Sequence, residues 1–370
     1  MKPAPVQNSS SVAVYPELVE GHSCTAYRCS ALCKMSPNII KIFLQKLLFL
    51  LFLSSIAIKS TAQDTSSKDI GTIVSAQLKS PATEKLYYGP TKKRIWLIAG
   101  INVAGYGGSL IALNSAWYKG YAKTSFHSFD DSREWLQMDK AGHAWGAYNA
   151  SRGTTAMWDW AGLPHKKSVW IGGLSSMAYL TTIEFMDAYS AKWGWSWSDI
   201  GANIFGSSLF MGQEFLWKEQ RIQYKFSFHP KDYGEQQLEQ RADNLFGKPW
   251  YERMLKDYNA QTYWLSFNLK SFLKDSNLPA WLNLSFGYGA DGMLGGFENK
   301  WTDAADNGIN RTDIPRKRQF YLAPDIDFTK IKTNSRFLKT TFAVLNSFKC
   351  PAPALMLDNK GKLKAYAIYF

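Results

Sequence analysis

Asp139 and His143 stand four residues apart in the run Asp139-Lys-Ala-Gly-His143, so on a helix they share a face. A carboxylate one turn from an imidazole can orient the ring or accept its proton, the pairing that general acid–base chemistry near neutral pH requires. The same spacing also makes an ordinary i,i+4 pair or a satisfied core histidine. Asp199, Asn203 and Gly206 recur at i, i+4 and i+7 in Asp199-Ile-Gly-Ala-Asn203-Ile-Phe-Gly206, where Asn203 could donate to a substrate oxygen and Gly206 could admit a close neighbour. Between the two patterns, Glu184 and Asp187 are three apart. With Asp199 and Asn203 they could hold a hard divalent cation such as magnesium or calcium. Glu214, eleven residues past Asn203, returns to nearly the same helical face and could join them. The competing reading is a polar network that fixes helix register. Zinc is disfavoured by one histidine and no cysteine. No phosphate-binding glycine loop, nucleophile elbow or His-Glu-x-x-His is present.

Three helices must carry these groups. The first spans Asp139 to about Gly153, the second begins after Lys166-Lys167 and runs to Tyr189, and the third is capped by Ser198 or Asp199. Ahead of them, Ile95 to Trp117 holds no charged residue and as a helix would be about 34 Å long, enough to cross a bilayer core. Gly100, Ala104, Gly108, Ala112 and Ala116 recur along it at every fourth position, a small-residue seam of the kind that lets membrane helices approach. Residues 91–217 therefore read as a helical bundle with polar groups between its helices. Residues 218–370 read as a smaller mixed region with strands at Arg221–Phe228, Leu282–Tyr288, Phe320–Phe328 and Leu363–Phe370, and an amphipathic helix over Ala260–Leu273. The fold class expected is mainly α, a membrane-associated helical bundle with a smaller mixed α+β C-terminal region.

The chain of 370 residues carries a formal charge of +13, with 15 Trp and 19 Tyr. Discounting the six basic and two acidic residues of 1–62 leaves +9, a balance that suits anionic lipid and, without any nucleic-acid motif, gives no reason to expect DNA or RNA. Lys41 and Lys46 precede Leu47–Leu53, and Ser60-Thr-Ala62 follows. That is the basic, apolar, small-residue order of a signal peptide over residues 35–62. Residues 1–34 read as an upstream segment lying outside the true start at Met35, and 63–90 as a linker. Only Cys350 follows the signal, so no disulfide within the mature chain is expected.

The two motifs, with Tyr148 after the first, resemble those of the uncharacterised predicted periplasmic lipoproteins of the YfiM type, domain of unknown function 2279. They are also similar to VanZ-like membrane proteins, in which an Asp-Lys-x-x-His helix and an Asp-x-x-x-Asn-x-x-Gly helix recur. The resemblance spans about Ile95 to Trp217, and the aromatic-ended tail is similar to forms found in Bacteroidetes-type envelopes. It implies a periplasmic or outer-membrane location and membrane association, and supplies no reaction. The expected function is an exported cell-envelope protein that binds membrane lipid or plays a structural role, with a polar cluster between its helices and with protein partners unspecified. The alternative is a membrane-surface hydrolase or transferase acting on an envelope lipid or cell-wall intermediate. There His143, Asp139, Asp199 and Asn203 would be the working residues, and Glu184, Asp187 and Glu214 would hold a divalent cation.

Overall fold

The computed structural model describes residues 91–118, 121–303 and 305–370. The upstream segment 1–34, the signal peptide 35–62 and the linker 63–90 lie outside the described residues. Four helices come first: α1 (Lys92–Leu113), α2 (Met138–Trp160), α3 (His165–Ala188) and α4 (Trp197–Leu216). Helices α2, α3 and α4 pack on one another through small residues. A Cβ on Gly206 would lie 2.1 Å from the Ala144 carbonyl oxygen, and one on Gly172 would lie 2.2 Å from Thr155 Oγ1. Ser176 Oγ donates to the Ala147 carbonyl at 3.1 Å, and Ser151 Oγ reaches Ser207 Oγ at 3.3 Å. Small residues bring the backbones close, and their hydroxyls find partners across the seam. At the far end, His165 joins all three helices, with Nδ1 2.9 Å from Asp159 and Nε2 2.9 Å from Glu214.

Helix α1 is the one described helix long and apolar enough to cross a membrane. It touches the bundle through a stacked Tyr106–Tyr179 pair and through hydrogen bonds between the hydroxyls of Tyr106 and Thr154 and of Ser109 and Tyr179. Its small-residue seam is not used for close approach, since a Cβ on Gly100 or Gly108 would meet nothing within 4 Å.

The C-terminal half overturns the expected fold class. It contains β1 (Ile222–Phe228), α5 (Gln236–Phe246), α6 (Trp250–Lys256), β2 (Gln261–Asn268), the short α7 (Leu269–Phe272), β3 (Leu282–Asp291), β4 (Lys300–Thr302), β5 (Gly308–Asn310), β6 (Lys317–Ile326), α8 (Arg336–Leu345), β7 (Ala352–Asp358) and β8 (Leu363–Tyr369). Strands β1-β2-β3-β6-β7-β8 form one antiparallel sheet, and β4-β5 a separate hairpin. The protein is α+β, not a mainly α membrane bundle: the sheet is as much a part of the architecture as the helices, and among the described residues α1 alone has the composition of a span. The stretch Ala260–Leu273, expected as a helix, is mostly β2. Its residues Thr262, Tyr263 and Trp264 are all buried, so both faces are covered and the polar–apolar alternation that marks a half-exposed strand is absent.

The sheet meets α2 through one face. Tyr224 Oη donates to the Ala141 carbonyl at 3.1 Å, Trp145 lies 5.4 Å from Phe226, and Gly142 sits against Tyr263, where a Cβ would come within 2.8 Å of the hydroxyl. This contact fixes the N-terminal end of α2, where the charged motif begins.

Candidate functional site

Helix α2 starts from an unusual turn. Trp135, Leu136 and Gln137 all have positive φ, at 49°, 52° and 63°, a backbone conformation costly for residues with side chains. The turn is pinned from outside. The Leu136 carbonyl accepts from Arg318 Nη1 at 2.9 Å and from the Tyr288 hydroxyl, and the Trp135 amide donates to Gly296 at 2.8 Å. The chain then enters α2 with Asp139 in its first turn. Asp199 is likewise in the first turn of α4, whose N-cap is Ser196 (not Ser198 or Asp199), its hydroxyl accepting from the Asp199 amide at 3.0 Å. Both carboxylates thus lie at the positive ends of helices, whereas Glu184 lies near the C-terminal, negative end of α3.

These groups converge. His143 Nε2 is 3.8 Å from Asp139 Oδ1 and 3.8 Å from Asp199 Oδ1. Its Nδ1 is 3.3 Å from Asn203 Oδ1 and 3.7 Å from Glu184 Oε1. The centre of the cluster is Lys140, to which the sequence reading gave no role. Its ammonium lies 2.5 Å from Asp131, 2.8 Å from Asp199 and 3.0 Å from Asp139. Asp131 comes from the loop before α2 and accepts from Ser196 and Ser198, each at 2.6 Å. Tyr258, just after α6, donates to Asp139 at 2.8 Å. Lys140 was legible as a lysine inside the motif. Asp131 and Tyr258 carried no sequence signal, because only the fold brings them there.

Two of the cation-ligand candidates make their hydrogen bonds elsewhere, Asp187 while still within electrostatic reach of His143. Asp187 accepts from the Tyr118 hydroxyl at 2.7 Å. That tyrosine lines a cleft of about 410 Å³ together with Tyr121, Thr182, Phe185, Met186 and Tyr189. Glu214 shares a face with Asn203 but stands about 16 Å further along the axis at 1.5 Å per residue, and its carboxylate is taken by His165 and Gln220. Gly206 has the packing role anticipated for it. At Gly201, nearer the start of α4, a Cβ would meet nothing within 4 Å.

Asp139, His143 and Asp199 offer ligand atoms within 4.8 Å of one another, close enough to share a divalent ion. The same two carboxylates already share the Lys140 ammonium at salt-bridge distance, so a fixed charge of the protein occupies the cation's role.

Burial disfavours a charged His143, yet Asp139, Asp199 and Glu184 together outweigh it and raise its pKa above the ordinary 6.5. Burial, reinforced by Asp139, pushes Asp199 up to about 7. Burial pushes Glu184 up to about 8. Asp139 resists its own burial because His143 and Lys140 hold it below 3.8. Groups whose folded pKa is raised give stability that is complete below their unfolded pKa and lost as pH rises through the folded one. For Asp199 that window runs from 3.8 to about 7, and for Glu184 from 4.5 to about 8. Asp139, with a lowered pKa, acts oppositely and loses its contribution on acidification below 3.8. Urea titrations are therefore expected to give a midpoint that falls between pH 5 and pH 8. Glu184→Gln should flatten that slope, and an unchanged slope would remove Glu184 from the titrating set.

Fold and site together define an α+β protein in which three close-packed helices enclose a lysine-centred ionic cluster and dock on one face of an antiparallel sheet. Residues 128–211, which include every member of the cluster except Tyr258, match the family described as predicted periplasmic lipoprotein (DUF2279). This supports the first of the two resemblances read from the motifs and does not bear on the VanZ-like one. No curated protein and no solved structure matches the chain.

Proposed function

We propose that this is an exported cell-envelope protein that works by binding, with the cluster around Lys140 serving to lock three helices in register. The envelope location is supported by the family description and by the signal-like order of residues 35–62. The observation that carries the lock is the Lys140 ammonium at 2.5 to 3.0 Å from carboxylates on two helices and a loop. A buried charge group of this kind specifies geometry more than it adds stability. On this reading the purified protein binds no stoichiometric divalent cation. Elemental analysis before and after chelation should give the same thermal midpoint and substoichiometric metal, and one bound ion per chain would overturn it. His143→Gln should lower the amount of folded protein, with any phenotype falling in proportion to abundance.

A second reading, hydrolase or transferase chemistry at a membrane surface, is favoured by one specific feature. Glu184 Oε1 and Asn203 Nδ2 are buried without a hydrogen-bond partner, and both residues flank His143 Nδ1. An acceptor and a donor beside a protonated imidazole could hold a polar substrate group. A His143→Gln variant that is folded, abundant and without phenotype-rescuing function would favour this reading over the lock.

A further inference from the structure

The large sheet carries apolar rows on its outer face and encloses charged and polar residues on the other. Follow the register across its six strands. One row reads Tyr224, Leu265, Phe286, Leu322, Leu355 and Ala365, and the next reads Phe226, Tyr263, Tyr288, Phe320, Leu357 and Leu363. Both rows are free of charge and lie on one face. The alternate rows hold Lys225 with Trp264, Gln223 with Ser266 and Ser285, and Ser227 with Thr262. This side is the buried one, and beside its polar residues it holds a packed cluster of Trp264, Tyr321, Ala323, Ala354, Met356 and Tyr369. Lys225 and Lys349 are fully enclosed around Asp325, Ser266 donates to the same carboxylate at 2.7 Å, and Tyr369 on β8 reaches back to Thr262 on β2 at 2.9 Å. The sheet has curled so that these charged and hydroxyl-bearing residues, together with that cluster, are inside.

The apolar face is covered by α2 at the β1-β2 end and by the turn before α2 at Tyr288 and Arg318. Toward β8, among the described residues, it is open. Phe320 is 50% exposed, Leu355 50% and Leu363 69%, and with Phe286, Leu322 and Leu357 they line a shallow groove of about 230 Å³. Water outside the sheet does not favour this arrangement, because the apolar rows stay exposed while the sheet encloses two lysines that need Asp325 to neutralise them. Hydrocarbon outside does select it. Polar-in, apolar-out alternation is the pattern of strands that face lipid. The open band is bounded at one end, where Tyr288 and Arg318 bond to the Leu136 carbonyl, and it runs from there over residues 282–286 of β3 and 320–326 of β6. Trp281 is exposed at the start of this band, where an interfacial aromatic belongs.

We infer that the open face of β3, β6, β7 and β8 contacts the acyl chains of a bilayer. The inference is independent of the role assigned to Lys140.

The test uses the full chain with Cys24, Cys29, Cys33 and Cys350 replaced by Ser, and single cysteines introduced by Leu322→Cys, Leu357→Cys or, as a control, Glu298→Cys. Each variant is labelled with an environment-sensitive fluorophore and reconstituted into phosphatidylethanolamine/phosphatidylglycerol vesicles with or without brominated acyl chains. The substitutions lie on exposed positions, and far-UV circular dichroism checks that each variant folds. The expected result is blue-shifted emission at 322 and 357 that brominated chains quench, with water-like, unquenched emission at 298. Water-like emission at 322 and 357 in vesicles would overturn the inference. So would apolar emission that bromine does not quench, which would mean that another part of the chain covers the face. Efficient disulfide dimerisation of unlabelled Leu357→Cys, together with absence of quenching, would assign the face to a second copy instead.

Discussion

Replacing Lys140 with methionine is expected to destabilise the protein by about 3–5 kcal/mol at pH 8, the range found when one partner of a buried ion pair is removed. Three carboxylates lose their shared counter-charge at once. Asp131 and Asp199 are both buried, and neither can turn to solvent without leaving its serine or its helix N-terminus. The loss should be pH-dependent in a defined sense. Asp199 titrates at about 7 with Lys140 present, and removing a positive neighbour raises it further. Acidification to pH 5 therefore neutralises Asp199 and recovers part of the stability. Lys140→Met combined with Asp199→Asn should recover a comparable part at pH 8. Urea denaturation at the two pH values measures both effects. A single variant as stable as the parent at pH 8 would show that the cluster is not charge-coupled, and the lock reading would fall with it.

The second large effect concerns two glycines five residues apart on α4. Gly206→Ala should cost about 1–3 kcal/mol, the usual penalty for overpacking. The added carbon would lie 2.1 Å from the Ala144 carbonyl oxygen and 2.9 Å from Ala147 Cβ. The first of these is backbone and cannot rotate away, so α2 and α4 must separate. Separation would also pull Asn203 from His143, now 3.3 Å apart. Gly201→Ala should do the reverse. Its Cβ meets nothing, and removing a glycine from a helix interior stabilises by about 0.5–1 kcal/mol. Thermal midpoints of the two variants should therefore move in opposite directions. Movement in the same direction would refute the packing geometry at Gly206.

Some of this protein was legible in its residues alone. Asp139 with His143, and Asp199 with Asn203 and Gly206, announce themselves because helical periodicity is local: four residues make a turn whatever lies outside it. The same logic located Glu184 on a helix between them, and these groups do meet. It failed for Glu214, because shared face is an angular statement and says nothing of axial distance. It failed more widely in the C-terminal half. Alternation was recognised in Leu282–Tyr288 and Leu363–Phe370, but alternation cannot tell which side is inside. A hydrophobic residue at every second position looks the same facing a core or facing outward, and Lys225 gives no sign in sequence that Asp325, one hundred residues later, will neutralise it.

Local periodicity suffices for the helices of 138–216, the faces their charged residues share, and the long uncharged helix before them. Every relation between distant segments comes from the folded chain. Lys140 became the centre of a site because a loop delivers Asp131 to it and α4 delivers Asp199, and β2 became a strand because β1 and β3 flank it. The physical reason is the same in each case. Backbone periodicity is set within one turn or one pleat, whereas the free energy of a buried charge, or of an apolar face, depends on what the rest of the chain brings against it.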